Sequence, residues 1–216
     1  MKFVVIKKRA VALGVCLIFA AVMLMMCLSF TGAYGVYYGL PLRKIPVYRV
    51  ATDQKKIALS FDAAYGSDRT EGIMEILKEY KADATFFLVG FWIENNPEKT
   101  KKIMENGFEI GTHSNTHSHM SKFTYSQCEE DLRQSVNIIE KYTQCKPTLF
   151  RAPFGEYNNT LIEAAEALGL KTIQWDVDSL DWMQKTTLQI ITRVTGRAKE
   201  GSIILFHNNA EHILDV

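Results

Sequence analysis

Apolar positions along this chain fall into two regimes. Residues 10–30 form 21 consecutive positions without a charge, apolar on every side, and the next charge after Arg9 is Arg43. A helix of that length spans a bilayer core, which needs about 20 apolar residues. From Ile57 onward the pattern changes. Short apolar runs predict strands at Ile57–Phe61, Ala84–Val89, Phe108–Gly111, Thr148–Arg151, Lys171–Asp176 and Ser202–Phe206. Stretches of helical period lie between them. Ile73, Ile76, Leu77 and Tyr80 follow i, i+3, i+4, i+7 spacing. Leu132, Val136, Ile138 and Ile139 mark a second helix, opened by a Thr124–Gln127 capping box, and Leu161, Ile162, Ala165 and Leu168 a third, closed at Gly169. Strands alternating with helices predict an α/β fold with a parallel sheet, either a barrel or a doubly wound sheet.

The organisation expected is a basic tail at 1–9, a transmembrane signal anchor or signal peptide at 10–30, a linker at 31–54 rich in Gly and Pro, and one domain at 55–216. Lys2, Lys7, Lys8 and Arg9 precede the apolar segment, and the small residues after Phe30 form no strong cleavage site, which favours a retained anchor. Tyr34, Tyr37 and Tyr38 suit a membrane interface. The net charge of +1 gives no sign of a nucleic-acid footprint, and the chain without those four bases holds 21 basic and 24 acidic residues. Cys16 and Cys27 fall in the apolar segment; Cys128 and Cys145 could pair in an exported domain, and none has metal-ligand spacing.

The polar residues that interrupt this pattern gather at one place. Asp62, His113, His117, Arg151, Asp181 and His207 all fall at or just beyond the C-terminal ends of expected strands. In parallel α/β folds those ends share one face, where active sites are built. His113 and His117, four apart, are expected on one side of a helical turn, where both rings reach one divalent cation. Zinc suits imidazole ligands, with cobalt, nickel or iron as alternatives; the bland reading is a polar loop with incidental histidines. His119 is expected to be an exposed loop residue. His207 suits general-acid work, or is a core histidine held by a carbonyl. In the run 178–182, Asp178 and Asp181 flank an acidic turn before Trp182, and either carboxylate could fix the His207 tautomer. Arg151 offers a fork of donors, and Asp62 is a candidate base.

These segments together resemble the NodB-homology polysaccharide deacetylases, carbohydrate esterase family 4, from about residue 55 to the end. The run Ser60-Phe61-Asp62-Ala63-Ala64-Tyr65-Gly66 resembles the sporulation-associated branch. The resemblance implies a distorted (β/α) barrel of about seven repeats, here without its last helix and strand. It implies hydrolysis of N-acetyl groups on an N-acetylated glycan such as peptidoglycan, releasing acetate, by a domain outside the cytoplasm. It implies His113 and His117 on the metal and Asp62 as general base tuned by Arg151. It implies a backbone N–H near Phe154 that holds the oxyanion and His207, paired with Asp181, as the acid, with Tyr65, Phe154, Trp182 and Leu205 lining the substrate. Where the family carries a second aspartate as metal ligand, this chain has Ala63. The alternatives are a catalytically silent glycan-binding wall protein that keeps the cleft, and a metal-dependent amidase on a non-sugar amide.

Overall fold

The computed structural model describes residues 8–30, 42–66 and 69–216. They fall into two compact units, Met1–Arg43 and Lys44–Val216. The first contains helix α1, Lys8–Phe30. Its window Val11–Leu28 has a mean hydropathy of 2.8 and no buried position, so it is long and apolar enough to cross a membrane. Tyr34, Tyr37 and Tyr38, expected at a membrane interface, and most of the basic tail lie outside the described residues, as does the first part of the expected linker.

The second unit carries seven strands: β1 (Ala58–Ala63), β2 (Ala84–Leu88), β3 (Glu109–Thr112), β4 (Leu149–Phe150), β5 (Lys171–Thr172), β6 (Val177–Asp178) and β7 (Ile203–His207). All pair in parallel in the order β5-β4-β3-β2-β1-β7-β6. Only residues 173–176 join β5 to β6. Such a link reaches about 18 Å at full extension, whereas the edges of a flat seven-stranded sheet lie about 29 Å apart. The sheet therefore curls into a nearly closed, distorted barrel. The expected strand Lys171–Asp176 is corrected by this geometry. Only Lys171–Thr172 of that run form a strand, at one edge of the sheet; residues 173–176 are the link, and the opposite edge strand, β6, begins just beyond the expected run.

Helices α2 (Thr70–Glu79), α3 (Gly90–Asn95), α4 (Pro97–Glu105), α5 (Tyr125–Thr143), α6 (Asn159–Ala167) and α7 (Thr187–Thr195) cover the outer face. The Thr124–Gln127 capping box opens α5 as expected. At the end of α6, Gly169 takes φ +78 while the Leu170 N–H donates to the Ala165 carbonyl at 2.9 Å, closing a Schellman turn. Tyr80, expected on the apolar face, is 75% exposed because α2 ends before it.

The strand period decides what faces where. Phe61 stacks between Phe86 and Phe206 on the outer side, with ring centroids 5.1 and 5.6 Å away, and Ala63 joins the same apolar cluster. Ser60 and Asp62 alternate with them and point inward.

Residues 44–50, expected as linker, are stitched to the barrel seam. The Val47 N–H donates to the Thr172 carbonyl and the Gln174 N–H to the Val47 carbonyl, at 3.0 and 2.8 Å. Arg49 pairs with Ser202, and the Val50 N–H donates to the Gly201 carbonyl at 2.9 Å. Gly201 has φ +78, and a Cβ there would stand 1.8 Å from the Val50 oxygen, so this closure needs glycine.

Candidate active site

The C-terminal strand ends bring the expected residues to one mouth. Asp62 and His207 are register partners on adjacent strands, so their side chains share a level inside the barrel. The His113 N–H donates to the Leu88 carbonyl and the Arg151 N–H to the Thr112 carbonyl, both at 2.9 Å, which places these two side by side. A cleft of about 770 Å³ opens above them, lined among others by Asp62, Tyr65, His113, His117, Phe154, Asp181, Trp182, Leu205 and His207. Every residue expected at the site lines this cleft except Arg151, which lies beneath it with no exposed surface.

Arg151 organises the floor. One guanidinium nitrogen donates to Asp62 Oδ1 at 2.7 Å; the other donates to Ser60 Oγ at 2.9 Å and to the Gln174 carbonyl at 3.2 Å. The plane lies 4.1 Å from the Phe87 ring centroid and 5.5 Å from that of Trp175. Burial by itself pushes the Asp62 carboxyl up. The charges of Arg151, His113 and His207, with the Arg151 hydrogen bond, outweigh it and hold Asp62 below the usual carboxylate value. Asp62 is thus an ionised carboxylate with Oδ1 occupied and Oδ2 turned to His113 Nε2, 3.5 Å away.

His113 Nδ1–H donates to the Arg151 carbonyl at 2.8 Å, which fixes the tautomer and leaves Nε2 as an acceptor. Burial lowers the His113 pKa, and burial together with neighbouring His113 pushes His117 down to about 4. Both rings are therefore neutral near pH 7, with centroids 5.1 Å apart. They do not converge by helical spacing, as the sequence pattern suggested. Residues 113–117 form a loop in which Ser114 and His117 take left-handed backbone at φ 71 and 52, and the Ser114 hydroxyl accepts the His117 N–H at 2.8 Å. Two neutral imidazoles, that of His113 with its tautomer fixed, fit a divalent cation that selects nitrogen ligands. Among the described residues no third His, Cys, Asp or Glu completes a protein ligand group. Ala63 lies wholly buried in the apolar cluster.

Across the mouth, His207 Nδ1–H donates to Asp181 Oδ1 and its backbone N–H to Asp181 Oδ2, both at 2.8 Å. Burial lowers the His207 pKa, but the hydrogen bond and charge of Asp181, with Asp62 and Asp178 behind it, win and raise it. Asp178 instead takes the turn role, accepting the Leu180 N–H at 2.8 Å. Trp182 stands 59% exposed at the rim, and Leu205 is buried at the cleft wall.

His119 is the exposed loop residue expected; it stacks on Phe154 at 4.2 Å and hydrogen-bonds Glu156 at 3.0 Å, while the Phe154 ring meets His117 edge-on at 4.7 Å. Sequence reasoning missed two supporting residues, Trp92 and Asn208. Trp92 Nε1–H and Asn208 Nδ2–H both donate to the Gly66 carbonyl, at 2.6 and 3.0 Å, and fasten the turn that carries Tyr65. Cys128 is buried and Cys145 exposed, and both are free thiols.

Comparison with known proteins gives a consistent result. The profile of the family described as polysaccharide deacetylase matches residues 49–173. A peptidoglycan-N-acetylglucosamine deacetylase from Bacillus cereus is 32% identical over 163 residues, 74% of this chain and 76% of that protein. The protein YlxY from Bacillus subtilis is 34% identical over 166 residues, 77% of this chain, but the chain spans only 52% of its length. Among solved structures, a CE4 family pseudoenzyme from Bacillus anthracis superposes with a TM-score of 0.75 at 30% identity, covering 78% of this chain and 60% of that one. A mutant of that pseudoenzyme, described as having restored enzymatic activity, superposes equally well at 32% identity.

Proposed function

The chain belongs to the polysaccharide deacetylase family, and from that premise we propose that it hydrolyses N-acetyl groups of an N-acetylated cell-wall glycan such as peptidoglycan, releasing acetate and a free amino sugar. The observation that carries this reading is the pairing of an ionised inner carboxylate, Asp62 on Arg151, with an imidazole of opposite disposition, His207 on Asp181, across one cleft. The two environments push the two groups toward base and acid respectively, which is how one site does both kinds of proton transfer near neutral pH.

In this reading Asp62 Oδ2 accepts a proton from the attacking water as its oxygen adds to the acetyl carbon. Arg151 keeps Asp62 ionised and aims it by holding Oδ1. A backbone N–H near Phe154 steadies the developing oxyanion. The C–N bond then breaks as His207 Nε2 delivers a proton to the leaving nitrogen. Asp181 holds His207 Nδ1 so that Nε2 faces the cleft. Tyr65, Trp182 and Leu205 shape the wall for the sugar and its acetyl group. His113 and His117 would hold a divalent metal, zinc or a similar nitrogen-loving cation, which when bound supplies Lewis-acid polarisation of the acetyl carbonyl. Helix α1 would tether the domain to the outer side of the membrane.

A second reading is supported by two observations: the similarity to a pseudoenzyme, and Ala63 at the position of the family's carboxylate ligand. It makes the chain a silent glycan binder. Acetate release from N-acetylglucosamine oligomers and from peptidoglycan, with and without added zinc or cobalt, separates the two. Turnover that is lost in His117→Ala supports the hydrolase. Glycan binding by folded protein without any acetate release under any metal supports the silent binder.

A further inference from the structure

The loop that carries the two imidazoles is held in a conformation it would not adopt alone. Ser114 and His117 are non-glycine residues in left-handed backbone, and they bracket Asn115 and Thr116. Left-handed backbone in such residues is costly and persists only where surrounding structure imposes it. The strongest restraint comes from α5. Asp131, only 6% exposed, accepts the Asn115 backbone N–H on Oδ1 and the Thr116 hydroxyl on Oδ2, both at 2.7 Å. Gln134, one helical turn on, accepts from the Asn115 side chain at 2.9 Å. Behind the loop, the α3 end closes in as the Gly90 N–H donates to the Ser114 carbonyl at 3.0 Å.

Asp131 touches neither imidazole. A carboxylate buried on the inner face of a helix is costly unless its oxygens are satisfied, and here both oxygens are satisfied by Asn115 and Thr116, two of the three residues between the histidines. An apolar residue at this helix position would pack as well but leave the Asn115 N–H and the Thr116 hydroxyl without their acceptor.

We propose that Asp131 is a positioning residue that fixes the 114–117 backbone so that His113 and His117 converge, and thereby sets the affinity of the pair for a divalent cation. The proposal rests on the metal reading of the histidine pair given above. With only two imidazoles as protein ligands among the described residues, pre-organisation of the pair governs affinity more than it would in a full set of three.

The test is cobalt binding by the full chain in detergent, read by chelator competition and by the visible cobalt spectrum. Asp131→Ala is expected to weaken cobalt binding by about tenfold or more, the scale of losses when groups behind metal ligands are removed. Its spectrum should change, because the ring geometry changes. Asp131→Asn, which keeps an acceptor for the Asn115 N–H, should fall between Asp131→Ala and the parent. If Asp131→Ala does not fold, Thr116→Val removes the hydroxyl partner of Oδ2 while keeping Asp131, and should still weaken cobalt binding measurably; Ser118→Ala, which removes the other partner of that hydroxyl, should not. A merely structural role for Asp131 would lower the melting temperature and leave the affinity and spectrum of the folded protein unchanged. That result in Asp131→Asn and Thr116→Val, with binding lost in His117→Ala, would overturn the role of Asp131 and leave the metal reading intact. A parent chain that binds no cobalt, or a His117→Ala variant that binds as the parent does, would overturn the metal reading and this proposal with it.

Discussion

Replacing Arg151 by methionine keeps a flexible apolar stem and removes the guanidinium from beneath the cleft. The wild-type group makes three hydrogen bonds, to Asp62, Ser60 and Gln174, and its central carbon lies over the Phe87 ring. Asp62, 5% exposed, is left without its counter-charge. Breaking a buried ion pair by removing one partner costs about 3–5 kcal/mol. For a domain of this size each kcal/mol moves the melting temperature by about 2–4 °C, so a fall of roughly 6–20 °C is expected. The compact unit Lys44–Val216 is the object to melt, followed by tryptophan fluorescence, since Trp175 lies beside the guanidinium. Asp62→Asn on its own should also destabilise, and the double variant should recover much of the loss, because neither charge is then stranded. The pH dependence carries a sign of its own. Asp62 is held below its ordinary pKa of 3.8, so its stabilising contribution is full above that value and is lost as pH falls through the folded value. In Arg151→Met, burial dominates and the folded pKa rises, so the gap between parent and variant narrows in acid. A folded Arg151→Met that loses less than about 1 kcal/mol would refute the picture of a mutually dependent buried pair.

Three further outcomes follow from the geometry. Asp181→Asn removes the partner that raises the His207 pKa, so the alkaline limb of the acetate-release profile should move to lower pH by about one unit or more; an unmoved limb would separate His207 from the acid step. Gly201→Ala should destabilise far more than Gly107→Ala in urea melts, since both have positive φ but only at Gly201 does a Cβ meet backbone, at 1.8 Å; equal losses would mean that backbone strain alone matters. Burial raises the Cys128 thiol to about 11, so maleimide should label Cys145 in native protein and Cys128 only after denaturation, with peptide mapping as the readout.

Much of the site was legible because its residues punctuate apolar strands at one end. Asp62 after Ser60-Phe61 and His207 after Leu205-Phe206 interrupt runs that otherwise alternate toward a core, and parallel pairing then forces them into register. What stayed hidden depends on contacts across the fold. Asp131 reads as one more acid in a charged helix, since nothing local marks the inward face it occupies. The histidine loop was misread as a turn of helix because i, i+4 spacing carries no sign of the left-handed residues within it. The split of 171–178 between two sheet edges follows from closure of the whole sheet, which no window of sequence contains. The start of α7 was missed, although Thr186–Gln189 repeats the capping signal of Thr124–Gln127.

The stitching of residues 44–50 along the seam has a mechanical consequence. A pull on the chain ahead of this segment is borne first by its few bridges, at Val47 with Ile173 and Arg49 with Ser202, and reaches the long central ladders of β1, β2 and β7 only after these have parted. Because the Gln174 carbonyl that steadies Arg151 lies on the stretch to which Val47 bonds, tension strong enough to peel the segment away would loosen the support beneath Asp62 before it unfolded the barrel. The short bridges are thus the weak link in series between a pull on the preceding chain and the cleft, and the load at which they yield sets the tension that the floor survives.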